Sequence, residues 1–117
     1  MITFGVIGFG YWGPNLARNF TIPGQSKVAV IADRDPAKLS RAAERFPGTA
    51  TTSDVTEIWR NPAIEAVAIA TPVRSHFELA EAALKAGKHV LIEKPMTETV
   101  EQGELLVDLA EIGRAHV

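Results

Sequence analysis

The sequence near the N-terminus reads Gly8-Phe9-Gly10-Tyr11-Trp12-Gly13, directly after an apolar run over residues 2–7 and directly before Pro14. The run predicts a β-strand, and Pro14 suits the first turn of a helix. Gly8 can make the tight turn out of the strand, Gly10 lets a pyrophosphate approach the backbone, and Gly13 lets the helix pack closely. The N–H groups of that helix then face the phosphates. This stretch therefore predicts a dinucleotide-binding turn.

An acidic residue stands where this motif requires one. Asp33 lies about 20 residues after Gly13 and follows an apolar run over residues 28–32. A carboxylate there binds the adenosine ribose hydroxyls and repels a 2′-phosphate, so Asp33 favours NAD over NADP as cofactor. Arg34 weakens this preference, because a guanidinium can accept a phosphate or lie over the adenine. The alternative is a glycine-rich turn followed by a solvated Asp33 with no ligand.

The composition fits one folded domain and excludes several classes of protein. The chain has 117 residues, of which 46% are hydrophobic and 22% charged, with a formal net charge of −2. No basic excess points to nucleic acid or to an anionic membrane as partner. Cysteine is absent, which excludes disulfides and cysteine-based metal sites, and no metal site is predicted. Because we find neither a membrane-spanning run nor a signal peptide, we expect a cytoplasmic domain.

Short apolar runs alternate with helical patterns along the chain. Strands are predicted over residues 2–7, 28–32, 65–70 and 89–92, with a short further strand within residues 48–52. Helices are predicted over residues 14–20, 36–45, 54–60 and 75–87, with a last one opening at residue 99. Ser75 with Glu78, and Thr99 with Gln102, have capping-box spacing. The pattern predicts an α/β fold, a doubly wound Rossmann-type parallel sheet of about five strands in a single domain.

Three stretches together resemble one family. They are residues 8–20, Thr71-Pro72 with His76, and Glu93-Lys94-Pro95. Over about residues 1–111 the sequence is similar to the N-terminal NAD-binding domain of the Gfo/Idh/MocA family, named for glucose-fructose oxidoreductase, inositol dehydrogenase and rhizopine catabolism. Glu-Lys-Pro after the fifth strand is the most specific element, because it adds a family signature to a generic fold.

The resemblance implies roles around the nicotinamide end of the cofactor. Lys94 matches the family lysine beside the nicotinamide and the reacting carbinol, which implies that it orients the substrate hydroxyl or assists its proton transfer. Glu93 and Pro95 flank it, and a cis peptide before Pro95 is expected from relatives. The alternative for Lys94 is a solvated lysine at a strand end.

The remaining candidates for cofactor binding have open alternatives. Thr71 and Pro72 match the family segment beneath the ribose and nicotinamide, and His76 is either a further cofactor residue or a surface histidine in a first helical turn. Phe9 belongs to the glycine loop. Tyr11 and Trp12 either cover the pyrophosphate or adenine, or pack in the core beneath the loop.

Three functions are compatible with these motifs. The one we favour is an NAD(P)-dependent oxidoreductase acting on a CH–OH group of a sugar, cyclitol or sugar nucleotide. A non-catalytic NAD-binding sensor or structural paralogue is the alternative, and Lys94 argues against it because a sensor needs no such group. A methyltransferase would leave Glu93-Lys94-Pro95 unexplained.

Two expectations concern the extent of the chain. The resemblance implies that family members continue with a sixth strand and an α/β domain, which supplies most of the substrate pocket, the dimer surface and, in many members, a catalytic histidine. We therefore expect residues 1–111 to be an incomplete Rossmann domain, inactive alone, from a homo-oligomeric parent enzyme. Residues 112–117 read Ile-Gly-Arg-Ala-His-Val, which one frame of a common sequencing adapter encodes. We expect this segment to be a non-native tail, and an ordinary helix end is the alternative.

Overall fold

The computed structural model describes residues 1–113 and 115–117 and contains one parallel sheet of five strands. The strands are β1 (Ile2–Ile7), β2 (Ser26–Ala32), β3 (Ala50–Thr52), β4 (Ala66–Ile69) and β5 (His89–Ile92), in the spatial order β3-β2-β1-β4-β5. The helices are α1 (Gly13–Asn19), α2 (Pro36–Arg45), α3 (Thr56–Arg60), α4 (His76–Lys85) and α5 (Val100–Gly113). The predicted Rossmann-type α/β fold is confirmed. In the part of the chain described here, no helix has the length and apolarity to cross a membrane.

Helices cover both faces of the sheet and bury its central strands. On one face, α1 and α2 pack against β1 and β2 through Leu16, Ala17 and Ala42. On the other face, α3, α4 and α5 contribute a second set of buried residues, Ile58, Ala80, Ala83, Leu84, Leu106 and Ala110. Every residue of β4 is buried as a result. This explains why its sequence is a continuous apolar run rather than an alternating one.

The helix starts follow local sequence signals at two places and depart from them at a third. Asp35 accepts a hydrogen bond from the Ala37 N–H at 2.9 Å, which caps α2 as its sequence indicates. Thr99 accepts from the Gln102 N–H at 3.2 Å. The capping box predicted at Ser75 is wrong. Ser75 ends a 3-10 turn (Val73–Ser75), and its hydroxyl donates to Thr71 Oγ1 and lies equally close to the Pro72 carbonyl instead of capping α4.

The last described residues lie along the outer edge of β5. The Val90 N–H donates to the His116 carbonyl at 2.8 Å, and the His116 N–H donates to His89 Nδ1 at 3.0 Å. The two imidazole rings stack with their centroids 5.3 Å apart. The non-native origin of residues 112–117 stays a prediction, and Arg114 within that segment lies outside the described residues.

Lys88 is buried at the end of the sheet opposite to the glycine loop. Its exposed fraction is 4%, and its Nζ donates to the Asn61 carbonyl at 2.6 Å. Burial lowers the pKa of Lys88 below its ordinary value, because the positive charge is withdrawn from water. The bond ties the loop before β4 to the start of β5.

We predict that Lys88 makes the free energy of unfolding rise with pH in the alkaline range. Between its lowered native pKa and the ordinary value of 10.5, the unfolded chain binds more protons than the native one, so stability increases with pH there. Lys88→Met should remove this increase, which urea titrations across that range would measure. Lys85→Met, at an exposed position of α4, is the matched control. The same alkaline increase in Lys88→Met and in the unaltered chain would contradict the prediction.

Candidate cofactor-binding site

Gly8 joins the ends of three neighbouring strands. Its N–H donates to the Ala32 carbonyl at 2.7 Å, and its φ of +98° lies in the region that favours glycine. A Cβ at this position would lie 2.9 Å from the carbonyl carbon and oxygen of Ala70 and 3.0 Å from Thr71 Cγ2. The glycine loop therefore leaves β1 in direct contact with the end of β4, at the point where the strand order reverses and where open α/β sheets bind ligands.

Gly13 and Gly10 serve different purposes in the loop. A Cβ on Gly13 would overlap the carbonyl oxygen of Gly8, so this glycine allows α1 to pack on the loop. On Gly10 the nearest neighbour of such a Cβ would be Lys38 Nζ at 3.7 Å, so the space over its backbone is open. Open space beside a bare backbone and an ammonium group fits the pyrophosphate of a dinucleotide.

Asp33 ties the glycine loop to the turn after β2. Its Oδ2 accepts from the Phe9 N–H at 2.8 Å, and its Oδ1 accepts from the Asp35 N–H at 2.9 Å. Each carboxylate oxygen keeps a further lone pair, so the side chain can still accept from ribose hydroxyls. Arg34 is exposed beside it. The structure thus leaves both residues available at the edge where the adenosine was predicted.

The aromatic residues of the loop separate into a buried and an exposed group. Phe9 is 2% exposed and its ring packs edge-to-face on Phe46 with centroids 6.0 Å apart, so its side chain lies in the core and does not match the predicted contact with a cofactor. Tyr11 and Trp12 are 83% and 50% exposed and form a T-shaped pair with centroids 4.8 Å apart. Packing in the core beneath the loop is therefore wrong for Tyr11 and Trp12.

The second half of the candidate site lies at the ends of β4 and β5. Lys94 is exposed two residues after the end of β5, and the Lys94–Pro95 peptide is cis, as expected. Pro72 is exposed next to the half-buried Thr71, and Glu93 is half-buried. The Glu93 N–H donates to the Ile69 carbonyl at 3.1 Å, which extends the pairing of the two strands by one bond. Thr71 and Lys94 therefore follow adjacent strands at the same edge of the sheet as the glycine loop.

His76 is buried between these two segments. The residue is 1% exposed, with Nε2 of its ring 2.7 Å from the Thr71 carbonyl and Nδ1 2.9 Å from the Pro95 carbonyl. The alternative of a surface histidine is wrong, since α4 turns this side chain inward. Both ring nitrogens are already engaged by the backbone, so the predicted direct contact with a cofactor does not match this geometry.

Sequence reasoning missed Lys38. Its ammonium lies next to Gly10, although the two residues are in different elements of the fold. The only sequence signal is its place in the first turn of α2 after Asp35-Pro36, which brings it near the end of β1 in a doubly wound sheet.

The same fold occurs in known proteins. Residues 2–115 match the family described as an oxidoreductase family with an NAD-binding Rossmann fold. The chain belongs to the Gfo/Idh/MocA family. Its sequence is 38% identical over 97 residues to 1-carboxy-3-chloro-3,4-dihydroxycyclohexa-1,5-diene dehydrogenase of Comamonas testosteroni, covering 83% of the chain and 24% of that protein.

Two further members illustrate the range of the Gfo/Idh/MocA family. The chain is 34% identical over 115 residues to scyllo-inositol 2-dehydrogenase (NADP+) of Bacillus subtilis, covering 94% of the chain and 30% of that protein. The structure of UDP-N-acetylglucosamine 3-dehydrogenase from Acidithiobacillus ferrooxidans superposes with a TM-score of 0.88 at 30% identity, covering 97% of the chain and 35% of that protein. The chain therefore spans about a quarter to a third of the length of these relatives.

We predict different consequences for substitutions at the two inner glycines. Gly13→Ala places a methyl group on the Gly8 carbonyl, so the free energy of unfolding should fall by about 2 kcal/mol or more. The methyl group of Gly10→Ala meets no close atom, so this substitution should change the free energy of unfolding by less than about 0.5 kcal/mol.

A larger side chain at position 10 tests cofactor binding. Gly10→Val fills the space over the backbone and should abolish NAD binding. Urea unfolding and NAD titration measure these effects, and undiminished binding by Gly10→Val would show that the phosphates bind elsewhere.

Proposed function

We propose that this chain is the NAD-binding part of an oxidoreductase that transfers hydride between NAD and a hydroxyl-bearing carbon of a sugar, cyclitol or sugar nucleotide. The observation that carries the proposal is the placement of exposed Lys94 at the same edge of the sheet as the glycine loop and Asp33. The substrate class is supported by the relatives, whose names describe a dihydroxylated carbocycle, an inositol and a sugar nucleotide. All three carry hydroxyl groups on a six-membered ring.

In this proposal the glycine loop and Asp33 bind the adenosine and pyrophosphate, and the residues that follow β4 and β5 bind the nicotinamide and orient the substrate. The loop from Gly8 to Gly13 would hold the pyrophosphate, with Lys38 beside it, and Asp33 would accept from the adenosine ribose. The nicotinamide end would be bound by Thr71, Pro72, Glu93 and Pro95. The bound cofactor supplies the hydride chemistry. Lys94 would either orient the substrate hydroxyl by donating a hydrogen bond to its oxygen or assist the transfer of the hydroxyl proton.

The choice of cofactor rests on opposing charges at one edge of the site. Asp33 repels a 2′-phosphate, while Arg34 and Lys38 attract one. We assign the larger effect to Asp33, because its carboxylate is fixed by two backbone N–H groups while Arg34 is an exposed, flexible cation. The assignment is to NAD rather than NADP. The cytoplasmic location and a homo-oligomeric parent enzyme stay predictions.

We predict that the chain binds NAD more tightly than NADP. A 2′-phosphate beside Asp33 loses a ribose hydrogen bond and gains repulsion, which together amount to about 1–3 kcal/mol. Isothermal titration of both cofactors measures the difference, and Asp33→Ser should narrow it. Asp108→Ser, at an exposed position of α5, is the control for a general change in charge. Equal affinities in the unaltered chain would refute the role of Asp33.

We predict that turnover requires both Lys94 and a part that holds the substrate. Orientation of a substrate against catalytic groups can account for about 7–11 kcal/mol of a barrier, so the chain alone should reduce NAD at no useful rate. A version extended with a family-type second domain should oxidise inositol, glucose or a UDP-sugar, and Lys94→Ala should abolish this activity while NAD binding persists. Lys85→Ala is the control. Binding of NAD without turnover in the extended protein would favour a non-catalytic sensor instead.

A further inference from the structure

His76 continues the pairing of β4 and β5 beyond the point where the backbones stop pairing. The last bond between the two segments runs from the Glu93 N–H to the Ile69 carbonyl. Two residues further along each segment, the imidazole of His76 lies between the carbonyls of Thr71 and Pro95, at 2.7 and 2.9 Å. A buried side chain thus spans the gap between the two segments that follow these strands.

The two carbonyl contacts bear on which ring nitrogens of His76 carry a proton. A carbonyl oxygen accepts hydrogen bonds and has no proton to donate, so a ring nitrogen bonds to either carbonyl only by donating its own proton. A neutral imidazole carries one N–H and would leave one carbonyl facing a bare nitrogen lone pair. Only a ring with a proton on each nitrogen donates to both carbonyls, and these two charge-assisted bonds have to offset the cost of a positive charge in a site that is closed to water.

We propose that His76 is a positioning residue, which holds the Lys94–Pro95 turn at a fixed distance from Thr71 by donating from both ring nitrogens. Pro95 directly follows Lys94, so the position of its carbonyl determines where the Lys94 backbone lies. The residue before His76 reinforces the arrangement, since Ser75 Oγ donates to Thr71 Oγ1 at 2.7 Å. The inference rests on the proposed function, because it assigns both held segments to the nicotinamide end of the site.

The test compares two ligands that differ only at that end. ADP-ribose keeps the adenosine, the pyrophosphate and the second ribose of NAD but lacks the nicotinamide. In His76→Asn the amide nitrogen replaces Nδ1 and keeps the bond to Pro95, and in His76→Gln it replaces Nε2 and keeps the bond to Thr71. Both variants should bind NAD roughly five- to tenfold more weakly, the effect of one lost hydrogen bond, with ADP-ribose affinity unchanged. His89→Asn, at the opposite end of the sheet, should bind both ligands normally.

A second measurement needs no variant. In the 15N-labelled chain, NMR of the ring nitrogens should show a proton on both Nδ1 and Nε2 of His76, with His89 and His116 as internal references. A bare nitrogen on His76 would overturn the proposal. So would equal weakening of NAD and ADP-ribose binding, unchanged affinity for both, or failure of both variants to fold, since each would leave His76 with a role in stability alone or none. If the unaltered chain binds neither ligand, the proposed function itself fails.

Discussion

The close approach of Gly8 to the Ala70–Thr71 peptide is the contact on which the rest of the site depends. Gly8 bonds to the end of β2 on one side and packs against the end of β4 on the other, so the left-handed backbone of one residue sets the spacing of three strands. Asp33 then attaches to the loop through the Phe9 N–H, and His76 attaches Thr71 to Pro95. A single series of bonds and contacts consequently runs from the adenosine end of the candidate site to Lys94. Any side chain at position 8 would shift the end of β4 and with it the nicotinamide end.

Much of the fold could be predicted because its signals are local. The buried strand β4 is apolar at every position, and Asp35-Pro36 carries the cap and first residue of α2 in adjacent letters. The glycine spacing that predicts the loop is also a local signal, since it lies within six consecutive residues, Gly8 to Gly13. The capping box at Ser75 failed because a hydroxyl can donate as well as accept, and the competing Thr71 hydroxyl and Pro72 carbonyl are brought close by a 3-10 turn that the pattern does not indicate.

The parts of the site that sequence reasoning missed all depend on contacts between distant elements. The buried ring of His76 contacts the carbonyl of Pro95, which belongs to a different strand connection, and the position of Lys38 depends on the packing of α2 near the end of β1. The burial of Lys88 at the opposite end of the sheet likewise involves a distant residue, because its ammonium donates to the Asn61 carbonyl in the loop before β4. Periodicity predicts which face of an element is buried, but it carries no information about the polar partner that a buried side chain finds there.

The Asp33 carboxylate holds two backbone N–H groups and also disfavours a 2′-phosphate. A redesign of cofactor preference would have to separate these two roles. A small neutral side chain at position 33 would admit a 2′-phosphate, and it would also leave the Phe9 and Asp35 N–H groups without their acceptors. The glycine loop would then keep the bond from the Gly8 N–H to the Ala32 carbonyl but lose the bond from the Phe9 N–H when the cofactor is changed. An engineered switch toward NADP therefore calls for a compensating acceptor, supplied by a neighbouring side chain of the β2–α2 turn, so that the loop keeps its shape while the charge is removed.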